Sequence, residues 1–208
     1  SLNPTARATT SSATGLYQFI DQSWLAVIDK HGSEYGLGWA ADSISRGSNG
    51  RYYAANPEMR QQILDLRKHP ETASVMAAQH AADNKAYLEQ RLGREAEPVD
   101  LYLAHFLGVG GAAKFLSVHD RAPDATAASM FPGAARANRS IFYDRDGNAR
   151  SFAEIRDRFA PLIDEINVRE VEASVSSPAH ALATVLVLDQ FSRNVCRGTP
   201  RAFAYDEL

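Results

Sequence analysis

Apolar residues recur at three- and four-residue steps along most of the chain, the period of an α-helix that buries one face. The first such run covers residues 15–30 and predicts a core-facing helix. Its apolar stripe comprises Leu16, Phe19, Ile20, Trp24 and either Val27 or Ile28. Strand-like alternation of apolar and polar positions is nearly absent from the sequence. The pattern therefore predicts an all-α protein.

Capping residues predict where the later helices begin and end. Asn56 before Pro57 indicates a helix start, because an Asn side chain caps free N–H groups and proline suits the first turn. A longer helix is expected from Pro70 to Gly93, since glycine readily adopts the left-handed conformation that follows a helix end. A short and very apolar helix should then cover residues 99–107, and another residues 112–118.

Two segments depart from the helical pattern. Residues 43–50 are rich in Gly, Ser and Asn and are expected to form a loop. Residues 141–152 have two apolar stretches around an Asp146-Gly147 turn, which predicts a small hairpin. A calcium loop is the alternative for these acids, but its glycine falls at the sixth position, whereas Gly147 is fourth from Asp144. We therefore expect no metal there.

The periodicity also indicates a domain boundary. A capping box at residues 151–154 starts a helix that Pro161 must kink or end. Residues 166–177 are charged and Ser-containing with little periodicity, and an apolar run follows them. The expected organisation is a first domain over residues 1–165, a linker over residues 166–177 and a helical fragment of a second family over residues 178–208.

Composition narrows the classes of function. With 45% hydrophobic and 23% charged residues among 208, the chain is typical of globular proteins. The formal charge of -3 indicates no basic surface of the kind that binds nucleic-acid phosphates. No apolar run approaches the roughly 18 residues that a membrane-spanning helix requires. The single cysteine, Cys196, excludes an internal disulfide, and the histidines lack metal-ligand spacing. We expect no metal and no cofactor.

The most specific motif lies near the N-terminus. Asn3-Pro4 is followed by a small-residue stretch and then by Gly-Leu-Tyr-Gln at residues 15–18. At this spacing the segment resembles the opening of the catalytic domain of soluble-type lytic murein transglycosylases. Residues 84–88 and 103–108 resemble two later motifs of that family, so the resemblance covers roughly residues 1–160. It implies a lysozyme-like helical domain that acts on peptidoglycan glycan strands, in the periplasm, the cell envelope or outside the cell.

The resemblance also implies a chemistry. The family cleaves the β-1,4 bond between N-acetylmuramic acid and N-acetylglucosamine with one glutamate, and the muramoyl 6-hydroxyl closes to a 1,6-anhydro product. In the family's motif that glutamate stands two residues before the position of Ser1, so no catalytic residue is assigned here and the chain as given is expected to be inactive. The acids Glu34, Glu58, Glu71 and Glu89 are expected to be ordinary surface carboxylates.

Four residues are candidates for substrate binding. Gln18 matches a cleft glutamine of the family, and its amide can both donate to and accept from sugar hydroxyls. Ser12 is expected to cap the next helix and could also face the site. His105 and Phe106 stand where the family usually has Tyr and Asn. His105 could bond the catalytic carboxyl or be a satisfied core residue, and the Phe106 ring could pack on a sugar face.

The C-terminal segment carries a second resemblance. Leu-Asp-Gln-Phe-Ser-Arg-Asn at residues 188–194 lies within a stretch, residues 178–208, that resembles part of an uncharacterised bacterial family, the domain of unknown function numbered 924. That family is expected to be helical and tetratricopeptide-like. A truncated gene product, a fusion or an assembly fragment would each explain the joining of two families. Besides a transglycosylase domain, the alternatives are a noncatalytic peptidoglycan-binding module and a helical interaction protein.

Overall fold

The computed structural model describes residues 3–9 and 11–159. These residues fall into two compact units that divide after Ala82. Helices form most of their secondary structure, together with one two-stranded antiparallel hairpin, which confirms the predicted all-α class with a small hairpin. No helix in these ranges is both long and apolar enough to cross a membrane. The predicted linker over residues 166–177 and helical fragment over residues 178–208 lie outside the described part.

The helices are α1 (Asp21–His31), α2 (Gly38–Ala41), α3 (Pro57–Asp65), α4 (Pro70–Leu92), α5 (Pro98–Leu107), α6 (Val109–His119), α7 (Pro132–Ala137) and α8 (Arg139–Phe142). Short 3-10 turns cover Gly32–Tyr35 and Leu66–Lys68. The strands are β1 (Ile44–Arg46) and β2 (Tyr52–Ala54), and residues 152–159 are helical up to the end of the described range.

The core of the first unit forms around α1. Trp24 is fully buried, and its indole N–H donates to the carbonyl oxygen of Ile63 at 2.7 Å. The Phe19 ring meets the Trp24 ring edge-on with their centroids 5.1 Å apart. Leu25, Ile28 and Met76 are also fully buried. Of the predicted apolar stripe, Phe19, Trp24, Val27 and Ile28 face the core, whereas Ile20 is 45% exposed, so the prediction is wrong for Ile20. Burial of side chains of this size stabilises a domain by about 1.5–3 kcal/mol each.

Helix α1 begins later than the apolar stripe predicts. The prediction of a helix from Gly15 is wrong, because residues 15–18 form a turn and the helix starts at Asp21. Gly15 has φ 84° and Gln18 has φ 49°. Both values lie in the left-handed region, which an α-helix of L-residues does not use. The apolar side chain of Phe19 is nevertheless buried, since it enters the core from the turn rather than from a helix.

The hairpin lies elsewhere than predicted. Strand β1 falls in the segment predicted as a loop, and it pairs with β2 in the register Ile44 with Ala54 and Arg46 with Tyr52. Residues 141–152 form no paired strands in the structure: Tyr143 and Ala149 make an isolated bridge, and Ser151 makes another with Thr126. Alternation in three-residue strands is too short to show in the sequence pattern.

Local capping signals predicted several of the remaining boundaries, but the expected helix start at residue 112 is wrong, since α6 begins at Val109 and includes Gly110 and Gly111. Asn56 accepts the Met59 N–H at 2.8 Å and starts α3, as expected. Gly93 has φ 69° just beyond α4, and Gly108 has φ 73° between α5 and α6. The capping box at residues 151–154 is also confirmed, with Ser151 and Glu154 each accepting the other's N–H.

The second unit has an aromatic core. Tyr102, Phe115, Phe142 and Phe152 are almost completely buried, and α5 packs against α6. Phe115 and Phe152 meet edge-on with centroids 4.7 Å apart. Such pairs contribute beyond the area they bury, by about 0.5–1.5 kcal/mol.

Candidate functional site

The Gly-Leu-Tyr-Gln segment forms a tight turn at residues 15–18, called here the motif turn. Thr14 and Phe19 flank the turn and pair with each other, and the Thr14 N–H donates to the Phe19 carbonyl oxygen at 3.2 Å. Thr14 also pairs with Arg7 on its other side. The turn is therefore part of a small backbone network formed before the first helix.

Gly15 allows this turn to lie directly against a second segment. A Cβ atom on Gly15 would stand 2.2 Å from the carbonyl oxygen of Arg67, far inside any permitted contact. Its φ of 84° also disfavours a side chain. The Gly15 N–H donates to the Ala6 carbonyl oxygen at 2.9 Å. Only glycine combines this backbone conformation with this close approach.

The buried side chain of Arg67 bonds the backbone on both sides of the motif turn. The Arg67 side chain is only 6% exposed, and its Nη1 donates to the carbonyl oxygens of Ser12, at 2.9 Å, and Phe19, at 2.8 Å. Its Nε donates to the Leu64 carbonyl oxygen at 2.9 Å. Burial lowers the pKa of the Arg67 guanidinium, while the nearby Asp21 carboxylate opposes that shift. The group stays charged, because an arginine pKa starts far above neutrality.

Asp21 supplies the negative charge that this burial requires. Its Oδ1 lies 2.9 Å from Arg67 Nη1, and its Oδ2 lies 2.5 Å from Arg60 Nη2. Asp21 is also the first residue of α1, where a carboxylate interacts favourably with the free N–H groups of the helix. Arg67 and Arg60, from the α3 region, are thereby connected to the start of α1.

Gln18, the main candidate for substrate binding, lies at the end of the motif turn. Its side chain is half-buried, and its Nε2 donates to the Gly15 carbonyl oxygen at 2.8 Å and to Ala6 at 3.4 Å. Both bonds use the amide nitrogen, so the carbonyl Oε1 is not occupied by them. The amide is thus held in one orientation by the turn that carries it.

Ser12 caps α1 from outside the helix. Its hydroxyl oxygen accepts the Asp21 N–H at 3.1 Å, and the residue immediately before the helix, Ile20, makes no side-chain cap. The expected capping role is confirmed by this bond. Ser12 is exposed, so a role toward substrate stays a prediction.

The other two candidates belong to the second unit. His105 is half-buried in the last turn of α5 and takes part in an interaction within the protein. The ring of Phe106 is half-buried, with its centroid 5.7 Å from that of Phe159 and 6.5 Å from that of Phe142. Phe106 is therefore part of an aromatic cluster. Stacking of its ring on a sugar stays a prediction.

The acids set aside from catalysis are positioned as surface groups. Glu34, Glu58 and Glu71 are exposed in first turns of their helices. Glu89 lies 3.0 Å from Lys85, which lowers the pKa of the carboxyl. A general acid needs the opposite shift. Among residues 3–9 and 11–159, no group of three or more His, Cys, Asp or Glu side chains could hold a metal ion.

The second unit contains a buried charge cluster. Asp100 is completely buried on α5, where its Oδ2 accepts from Arg94 at 2.6 Å and from the Glu97 N–H at 3.0 Å. Arg156 Nη2 lies 3.6 Å from Asp100 Oδ1 and 2.5 Å from Glu97. This cluster connects the helical residues 152–159 to the start of α5.

One comparison with known proteins bears on the end of the chain. Residues 131–208 match the model of a family described as a bacterial protein of unknown function, DUF924. The match confirms the resemblance noted for residues 178–208 and extends it back to the beginning of α7. The chain is similar to that family over this part. Its described portion contains α7, α8 and the helical residues 152–159.

The sequence did not reveal the residues that hold the motif turn. Arg67 is charged and follows α3, where an exposed position is the ordinary expectation. Gln22 was also missed, although its amide bonds both the N–H and the carbonyl of Tyr52, at 2.9 and 3.0 Å. Both side chains bond backbone groups that are distant in sequence, so no local spacing signals them.

Proposed function

We propose that residues 1–130, which precede the match to the DUF924 family, belong to a lysozyme-like domain of a peptidoglycan lytic transglycosylase. In this proposal the domain binds glycan strands of the cell envelope at the motif turn. It cleaves the β-1,4 bond after N-acetylmuramic acid when the glutamate of the family's motif precedes Ser1. The observation that carries the proposal is the motif turn just before α1, in which the side-chain amide of Gln18 is held by its bond to the Gly15 carbonyl oxygen.

The amide of Gln18 suits a sugar ligand. A glycan strand presents hydroxyl and acetamido groups, which both donate and accept hydrogen bonds. The Gln18 carbonyl oxygen is an acceptor whose direction is fixed by the two bonds of the amide nitrogen. A ligand group that binds there does not have to order the side chain first, which lowers the entropic cost of binding.

The proposed reaction needs one carboxyl group and no water. The carboxyl donates its proton to the glycosidic oxygen, and the bond from that oxygen to the anomeric carbon breaks. The muramoyl 6-hydroxyl oxygen then bonds to the anomeric carbon, and the carboxylate takes up the hydroxyl proton. The product is a 1,6-anhydro sugar, and the carboxyl returns to its protonated state.

Binding is tested by co-sedimentation of the chain with purified murein sacculi. The sharpest variant is Gln18→Asn, because asparagine adopts positive φ readily while its amide is one methylene shorter. We expect the wild-type chain to sediment with murein and the variant to bind about 10-fold less tightly, as for one lost hydrogen bond. The matched control is Gln62→Asn, which changes an exposed glutamine on α3 and should bind as the wild type does.

The outcomes separate the parts of the proposal. A wild-type chain that stays in solution with murein present would overturn the glycan-binding function. An equal loss of murein affinity in Gln18→Asn and Gln62→Asn would show that Gln18 is not a binding residue, although the chain would still bind murein.

A further inference from the structure

Arg67 is unusual among the described charged residues of the first unit because its guanidinium is buried and bonds three backbone carbonyl oxygens. At 6% exposure it cannot reach a ligand on the surface. Taking a charge out of water is costly unless it is paired and hydrogen-bonded. Asp21 supplies the pairing, and three carbonyl oxygens supply the hydrogen bonds. An apolar side chain at this position would have avoided the desolvation cost. The hydrogen bonds that the Arg67 guanidinium makes therefore indicate what the residue does.

The bonds of Arg67 fall on the two flanks of the motif turn. Ser12 precedes the turn and Phe19 follows it, and one guanidinium nitrogen, Nη1, bonds the carbonyl oxygens of both. The backbone carbonyl of Arg67 lies against Gly15 inside the turn. A single residue therefore fixes the start, the middle and the end of the segment that carries Gln18.

Gln18 needs such support, because its φ of 49° is in a region that non-glycine residues rarely adopt. A short turn in this conformation relaxes unless surrounding bonds over-determine it. The conformation decides where the Gln18 side chain points, since its Nε2 reaches the Gly15 carbonyl across the turn.

We propose that Arg67 is a positioning residue for glycan binding, which holds the motif turn so that the Gln18 amide is oriented for the strand before the strand arrives. The inference rests on the proposed function. Lysine could not replace arginine here, because an ammonium on a flexible stem lacks the planar fork that bonds several acceptors at once.

A double-mutant cycle tests whether Arg67 acts through Gln18. The four full-length proteins are the wild type, Arg67→Lys, Gln18→Asn and the double variant, and the probe is soluble uncrosslinked murein glycan strands. Each single variant should bind about 10-fold less tightly, and the double variant no more weakly than either single one. A role in stability alone would lower the unfolding temperature of Arg67→Lys and leave its binding unchanged, whereas an effect on binding that is independent of Gln18 would make the two losses multiplicative, at about 100-fold. Multiplicative losses, or unchanged binding by Arg67→Lys, would overturn the proposal.

A second measurement uses only the wild-type chain, so it does not depend on the variants folding. Amide hydrogen exchange is followed at Thr14 and Gly15, whose N–H groups bond within the motif-turn network. We expect strong protection without ligand and little change when glycan strands are added. Rapid exchange that becomes slow only on binding would show that the strand orders the turn, and would overturn the role of Arg67. Absence of any binding by the wild type would instead overturn the proposed function.

Discussion

The carbonyl oxygen of Arg67 lies 2.2 Å from the point where a Cβ atom on Gly15 would stand. This contact brings the turn before α1 against the segment that follows α3. The atom that would have to yield is backbone, and Arg67 is itself fixed by buried bonds. The first unit thus depends on a close approach between two segments that are distant in sequence.

Replacement of this glycine should be severely destabilising. We expect Gly15→Ala to lower the free energy of unfolding by about 3 kcal/mol or more, since a left-handed backbone and a clash add together. The measurement is urea unfolding followed by circular dichroism. Gly36→Ala is the matched control, because Gly36 has φ 74° with nothing within 4 Å of a Cβ atom. It should cost only about 1 kcal/mol. Equal losses would show that the close approach is unimportant.

Ser12 should contribute to stability as a helix cap. Ser12→Ala removes the acceptor for the Asp21 N–H and should lower the free energy of unfolding by about 1 kcal/mol. Ser12→Asn keeps an acceptor at this position and should retain most of the stability. Thermal unfolding of the two variants compares them directly. A stable Ser12→Ala protein would mean that another group satisfies the start of α1.

Gln22 should hold α1 against the hairpin. Its amide accepts the Tyr52 N–H and donates to the Tyr52 carbonyl, so Gln22→Ala loses both bonds and should cost about 2 kcal/mol. Gln22→Glu should cost more, because a carboxylate oxygen would then face the Tyr52 carbonyl oxygen. Urea unfolding checks the order of the two variants. If Gln22→Glu were the more stable one, the assigned amide orientation would be wrong.

The capping box at the start of residues 152–159 predicts a dependence of stability on pH. Bonds from the N–H and hydroxyl of Ser151 lower the pKa of Glu154. The folded state then binds fewer protons than the unfolded state, so this contribution is present above the ordinary Glu pKa and is lost as pH falls through the folded value. Glu154→Gln keeps a capping side chain without the charge. The wild type should exceed it in unfolding temperature at pH 6 to 7, and the difference should shrink as the pH falls below the ordinary Glu pKa of about 4.3. A difference that did not change with pH would exclude this titration.

Sequence patterns predicted those parts of the fold that local chemistry decides. The ends of α3 and α4 follow from Asn56 and Gly93, whose effects operate within one turn of backbone. The start of α1 was mispredicted because its apolar stripe continues through Phe19 into a turn that also faces the core. The local sequence pattern does not distinguish an apolar residue that is buried from a helix from one that is buried from a turn.

The candidate site was predicted only in part, for the same physical reason. Gln18 was found through its motif, whereas Arg67 and Asp21 owe their roles to contacts between α1 and the end of α3. Those contacts join residues more than forty positions apart, such as Arg67 and Phe19. In the amino-acid sequence, a buried arginine cannot be distinguished from a surface arginine, because its bonding partners are known only from the structure.

Analysis of the reaction products tests the proposed lytic transglycosylase activity. The chain would be extended by Glu-Ser before Ser1, with Gln-Ser as the matched control, and incubated with purified murein before mass spectrometry of the soluble products. We expect 1,6-anhydromuropeptides from the Glu-Ser protein and none from the Gln-Ser protein. Murein left intact by the Glu-Ser protein, or cleaved to reducing-end sugars instead, would overturn the proposed lytic transglycosylase activity.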